Sequence, residues 1–244
     1  MPFAGKVAVV TGAAGATGAA VARALHARGS DVLAVDGSED GLAALAAELG
    51  SVETFVADVT RGEDVAAYVA RALELWGGID LFFNNTDRDG PVCPLADTTE
   101  ADFDEIVGGN LRAAFLGLKH VLPVLRDGGA VVNMASDLAV VGAAGLGGYV
   151  ASKHGVLGLT KVAALECERR QIRVNAICPG RFAEVDLVAE AGTVACTDGA
   201  TDGFRTPEEV ADLVIFLLSD GGPLHHRPGS HVQAIRDPAG VPRP

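Results

Sequence analysis

Short apolar runs recur along the chain, separated by longer stretches in which apolar positions return every three or four residues. The short runs, Val7 to Thr11, Asp31 to Asp36, Glu53 to Ala57, Ile79 to Asn84, Ala130 to Ala135 and Arg173 to Ile177, predict strands. The stretches between them predict amphipathic helices, at a spacing that suits right-handed βαβ crossovers. Six strands in this rhythm predict a doubly wound parallel α/β sheet, whose ligand crevice lies at the carboxyl ends of the strands where their order reverses.

Helix starts are marked by Thr60-x-x-Glu63, Thr99-x-x-Asp102 and Thr206-x-x-Glu209, each patterned as a capping box, with Pro207 at a first helical position. One helix is expected from about Thr99 to Arg126. It contains Gly108-Gly109, which cost about 1 kcal/mol each against alanine and predict a kink, or else close helix packing. Another helix should run from Tyr149 to about Arg170. A third, Pro207 to Ser219, carries Val210, Leu213, Val214, Leu217 and Leu218 at core-facing spacing. A last strand is expected around His231 to Arg236.

Composition narrows the picture. With 244 residues, 49% of them apolar, and 31 glycines, residues 1–244 read as a single domain able to bury a full core. A net charge of -13 argues against nucleic acid or an anionic membrane as partner. An anionic ligand would therefore have to be held by backbone amides. The start of the chain moves straight into a strand without a secretory pattern, and the uncharged run Leu138 to Ser152 is glycine-rich and too short to span a membrane. Cys93, Cys167, Cys178 and Cys196 are scattered without a C-x-x-C pair, which fits reduced thiols in the cytoplasm. His225, His226 and His231 lack a carboxylate or cysteine at useful spacing, so no metal site is expected.

The candidate chemistry lies between Asn133 and Lys153. Ser136 precedes Tyr149 by thirteen residues, and Lys153 follows Tyr149 by four. A four-residue step on a helix returns to the same face, which brings the Lys153 ammonium beside the phenol. A cation there favours phenolate and draws a free phenol, which titrates near ~10, toward the working range of a base. Ser136, at the end of a strand, is placed to donate a hydrogen bond to a carbonyl or alcohol oxygen.

Elsewhere, Thr11-Gly12-Ala13-Ala14-Gly15-Ala16-Thr17-Gly18 forms a glycine turn from the first strand into a helix. It is either a tight turn alone or a turn that admits a pyrophosphate to the helix amino terminus. Asp36 ends the second strand eighteen residues after Gly18. A carboxylate there accepts hydrogen bonds from ribose hydroxyls and repels a 2′-phosphate, and no Arg or Lys stands nearby to receive one. NAD is favoured over NADP.

These residues together resemble the classical short-chain dehydrogenase/reductase family over about residues 3–240. The resemblance rests on the Ser136, Tyr149-x-x-x-Lys153 signature and on the glycine turn, with Ala16 where the family has its middle glycine. It implies a Rossmann-like fold and a catalytic tetrad of Asn110, Ser136, Tyr149 and Lys153. In that scheme Asn110 holds a water linking Lys153 to solvent, while Lys153 also binds the cofactor's ribose. The cofactor-binding set it implies is Gly12, Ala16, Thr17, Gly18, Asp36, Asp58, Val59, Asn85, Tyr149, Lys153, Pro179, Gly180 and Phe182. Asp58 equally suits a turn that opens a helix. Two departures stand out: Asn84-Asn85-Thr86-Asp87 where the family usually has N-N-A-G, and Glu184 where it commonly has threonine. Asp87 brings a negative charge near the expected path of the dinucleotide.

The implied reaction is reversible hydride transfer between NAD(H) and a secondary alcohol or ketone, with Tyr149 as general acid/base. A hydrophobic cyclic or polyketide-like ketone is the substrate class in view. A non-redox enzyme on this fold (cyclase, dehydratase or epimerase) and a catalytically retired cofactor-binding subunit remain open. The segment from about 184 to 205 corresponds to the family's variable substrate loop, and the resemblance implies a homotetramer or homodimer.

Overall fold

The computed structural model describes residues 2–180 and 206–222. The first half of the sheet is built from β1 (Val7–Thr11), α1 (Ala16–His26), β2 (Asp31–Asp36), α2 (Glu39–Leu49), β3 (Glu53–Val56) and α3 (Gly62–Trp76). The second half follows with β4 (Ile79–Asn84), α4 (Glu100–Val107), α5 (Ala113–Val121), β5 (Leu125–Met134), α6 (Gly147–Glu166), β6 (Arg173–Ile177) and α7 (Pro207–Leu218). All strand pairs are parallel and their order is β3-β2-β1-β4-β5-β6. The order reverses between β1 and β4, so the crevice opens at the ends of those two strands.

The apolar runs follow from this architecture. Successive side chains of a strand point to opposite faces, and a parallel sheet is covered on both. Ala8 and Val10 of β1 pack with Val21 and Leu25 of α1 and Val214 of α7 on one face. Val9 packs with Val65 and Tyr68 of α3 and Val121 of α5 on the other. Every residue of β1 and of β4 is buried.

Several boundaries depart from the sequence pattern, among them the end of α6, which stops at Glu166 rather than near Arg170. β3 ends at Val56, one residue before Ala57. β5 begins at Leu125, because Leu125 pairs with Ile79 and the next matched pair is Ala130 with Leu81. Residues 126–129 bulge out between them, with Gly128 at φ +78°. Arg126 at this bulge reaches back to Asp80 at 2.6 Å and to the Trp76 carbonyl at 2.7 Å. The helix expected to reach Arg126 ends instead at Val121. Pro123 lies two residues further, and proline cannot continue the hydrogen-bond ladder.

That helix is also interrupted. Gly108–Arg112 form one π turn between α4 and α5, which is where the glycines predict a kink. Finally, Thr60 does not cap α3: its hydroxyl donates to Asp58 at 2.6 Å, and Arg61 takes the N-cap place without a side-chain bond. Thr99 and Thr206 do cap α4 and α7, the latter as a full reciprocal box. The final strand expected at His231 to Arg236, the histidines at 225, 226 and 231, Cys196, Glu184 and the 184–205 segment lie outside the described residues.

Candidate active site

At the reversal point, β1 and β4 are stitched together by their end residues. The Asn85 N–H donates to the Thr11 hydroxyl at 2.9 Å, and the Asn85 amide donates to the Gly12 carbonyl at 3.3 Å. Gly12 has φ +62°, and a Cβ on it would lie 2.6 Å from Asn85. Only glycine fits there. A Cβ on Gly18 would lie 2.0 Å from the Gly12 carbonyl oxygen, so α1 packs onto the turn only because Gly18 lacks one. No side chain caps the start of α1, at Gly15. Its first amides therefore supply the donors and positive dipole suited to a phosphate.

Gly12, Gly15, Gly18 and Asn85 border a cavity of about 1090 Å³, which also touches Ala16, Thr17, Asp36, Asp58, Val59 and Asp87. Asp36 accepts backbone N–H bonds from Ala14 at 3.0 Å and Ser38 at 2.9 Å, one at each oxygen, leaving lone pairs for ribose hydroxyls. Asp58 accepts both the N–H and the hydroxyl of Thr60, which hold its carboxyl below the usual range. The glycine cradle, the uncapped helix and Asp36 fit a nicotinamide dinucleotide.

A chain of buried amides fixes the strand ends. Asn84 donates to the Ala114 carbonyl and to Asn133, each at 2.9 Å, and Asn133 donates to Thr160 of α6 at 2.9 Å. This anchors α6, and with it Tyr149 and Lys153, to the sheet. The Ser136 segment is tied to the strand beside it, since the Asp137 N–H donates to the Pro179 carbonyl at 3.0 Å. Gly180 follows directly, and Phe182 lies outside the described residues.

Tyr149, Lys153 and Ser136 come together, but a fourth residue stands among them. The Tyr149 hydroxyl donates to Asp87 Oδ1 at 2.9 Å. Lys153 Nζ, fully buried, lies 3.0 Å from that same oxygen and donates to the Thr86 carbonyl at 2.8 Å. It sits 5.5 Å from the centre of the Tyr149 ring. Ser136 donates to Asp137 at 3.0 Å and accepts from the Leu138 N–H at 3.2 Å.

The electrostatics differ from a simple Tyr-Lys pair. Burial first, and then the Asp87 charge, push the Tyr149 phenol above the free-phenol range, against the opposing effect of Ser136. Lys153 also faces Asp87, 3.0 Å away, so the phenol meets an ammonium and a carboxylate together. Asn110, fully buried in the π turn, accepts the Arg88 N–H at 2.9 Å and donates to the Arg88 carbonyl at 2.8 Å. Its side chain thus clamps the loop that carries Thr86 and Asp87. Among the described residues no group of His, Cys, Asp and Glu is arranged to hold a metal ion.

The sequence pattern flags Asp87 as a departure but not its contacts, which join residues 62 apart. The part of Thr86, a backbone carbonyl, leaves no side-chain signal. Arg88 is similar: its backbone is what Asn110 holds.

The chain is similar along most of its length to known oxidoreductases. A family profile described as enoyl-(acyl carrier protein) reductase matches residues 12–224. Levodione reductase of Leifsonia aquatica is 42% identical over 237 residues, covering 89% of each chain. Cyclohexanol dehydrogenase of an Acinetobacter species is 34% identical over 225 residues, again 89% of each. The 3-oxoacyl-[acyl-carrier-protein] reductase of Thermotoga maritima is 34% identical over 232 residues, 90% of this chain and 93% of that one. A crystal structure of levodione reductase superposes with a TM-score of 0.79 at 38% identity, covering 89% of this chain and 92% of the other.

Proposed function

The chain belongs to the short-chain dehydrogenase/reductase family, and we propose that it is an NAD(H)-dependent oxidoreductase interconverting a ketone and its secondary alcohol. The carrying observation is that the Tyr149 phenol, with Ser136 and Lys153 beside it, meets the glycine-turn cleft at Asp87. A cyclic substrate is favoured because one relative is, by its name, a cyclohexanol dehydrogenase.

A bound nicotinamide dinucleotide supplies or receives the hydride. Gly12, Ala16, Thr17 and Gly18 receive its pyrophosphate, Asp36 the adenosine ribose, and Asp58 and Val59 the adenine. Asn85, Pro179 and Gly180 border the nicotinamide end. In reduction, Ser136 donates a hydrogen bond to the substrate oxygen and Tyr149 gives it a proton; in oxidation Tyr149 takes that proton back. Lys153 directs one N–H to Thr86 and one to Asp87, which leaves a third for a ribose hydroxyl. Asn110 holds the 86–88 loop in place. We place the protein in the cytoplasm, as a homotetramer or homodimer joined through the apolar side chains Phe103, Phe115, Val162 and Leu165 exposed on α4, α5 and α6.

Titration with NADH and with NADPH, read by nicotinamide fluorescence, tests the cofactor assignment. Micromolar binding of NADH alone supports Asp36 as the selector, and tighter NADPH binding rejects it. Tyr149→Phe is expected to lower turnover by at least about 10²-fold while cofactor binding persists. The contact of Asp87 with both Tyr149 and Lys153 favours a second reading, acid-base catalysis without hydride exchange. That reading predicts product formation with no change in nicotinamide absorbance.

A further inference from the structure

Asp87 occupies the centre of the site, and the reaction outlined above gives it no role. Its Oδ1 accepts a hydrogen bond from the phenol and pairs with the Lys153 ammonium, while 46% of its side chain remains open to solvent. Resting on the hydride-transfer reading, we propose that Asp87 is a positioning residue that holds Tyr149 as the neutral phenol, the form that gives its proton to a carbonyl, and thereby fixes the pH range in which the enzyme works.

The argument is one of charge. Oxidation needs Tyr149 as phenolate, and a phenolate would stand 2.9 Å from the Asp87 carboxylate. Lys153 would ordinarily favour phenolate, but its charge is already paired with Asp87. The other charged groups do not reverse this. Arg88, beside Asp87, is engaged by Glu105 of α4, Asp89 also disfavours phenolate, and Asp137 is hydrogen-bonded to Ser136. Burial acts in the same sense.

In reduction the phenol is needed as it stands. The hydride forms the new C–H bond, the carbonyl π pair goes to oxygen, and that oxygen takes the proton as the Tyr149 O–H bond breaks. The hydride donor is oxidised and the carbonyl carbon reduced. Water then restores the Tyr149 proton, relieving the repulsion from Asp87.

The test is Asp87→Asn, which keeps the shape and an acceptor oxygen but removes the charge. The first readout is phenolate absorbance from neutral pH to the onset of alkaline unfolding, compared pH by pH in the parent, Asp87→Asn and Tyr149→Phe; the last isolates Tyr149 from Tyr68, the chain's other tyrosine. The second is the pH profile of reduction and oxidation. We expect the Tyr149 titration, and the alkaline limb of reduction, to move toward acid by about one pH unit in Asp87→Asn. The rising limb of oxidation should move with it by the same amount. A titration that does not move overturns the proposal, as does one that moves while both rate profiles stay fixed. If no variant turns over with either cofactor, the hydride-transfer reading fails, and the claim about the working pH range fails with it. The absorbance titration still decides separately whether Asp87 controls Tyr149.

Discussion

Tyr68 is fully buried in the core between the sheet and α3, and its hydroxyl has no partner among the described residues. A buried hydroxyl left unbonded costs about 1–3 kcal/mol. Tyr68→Phe is therefore expected to stabilise the fold by about 1 kcal/mol at neutral pH, read from a denaturant midpoint. A less stable variant would mean that the hydroxyl does have a partner. The same residue links stability to pH. Burial pushes the Tyr68 hydroxyl up, so the unfolded chain loses that proton first, at about pH 10. Its contribution is intact below that value and declines as pH rises past it. Tyr68→Phe should flatten this alkaline decline. At this scale Asp36 and the glycine turn were legible, because their geometry is local to one βα unit. Asp87 was legible only as an anomaly: its partners lie on α6, brought near by the sheet.

The elements sort by how locally they are determined. The strands could be read because a parallel sheet covered on both faces demands apolar runs. β5 was read short because residues 126–129, Arg-Asp-Gly-Gly, are polar bulge residues that no periodicity marks. Thr60 was misread as a cap because Asp58 competes for its hydroxyl. Gly108 and Gly109 correctly signalled an interrupted helix, yet the two differ. A Cβ on Gly108 would meet nothing within 4 Å, whereas one on Gly109 would lie 2.6 Å from Arg88 Cδ and 3.0 Å from its Cβ. Gly108→Ala should thus gain up to about 1 kcal/mol from helix propensity and leave activity unchanged. Gly109→Ala should cost about 1–3 kcal/mol by overpacking and lower turnover, because Arg88 carries the loop that holds Asp87. Paired thermal melts and rate assays separate the two; equal effects from both substitutions would refute the assignment.

For the whole molecule, the sheet order has a consequence for synthesis on the ribosome. β1 pairs with β2 on one side and β4 on the other. β3 ends the sheet as a four-residue strand with Glu53 and Thr54 exposed, a protected edge. The other side of β1, wholly apolar apart from Thr11, stays open until residue 84 has emerged. From the emergence of Val56, the further 28 residues to Asn84 take ~1–6 s at 5–20 residues per second. A nascent chain ending at Val56 is expected to self-associate through Val7–Thr11, and Val9→Lys to suppress it, as sedimentation would record. A monomeric 56-residue fragment would show that β1 protects itself. Otherwise the switch point that opens a cleft in the finished protein is also, during translation, the place where a growing chain most needs a chaperone.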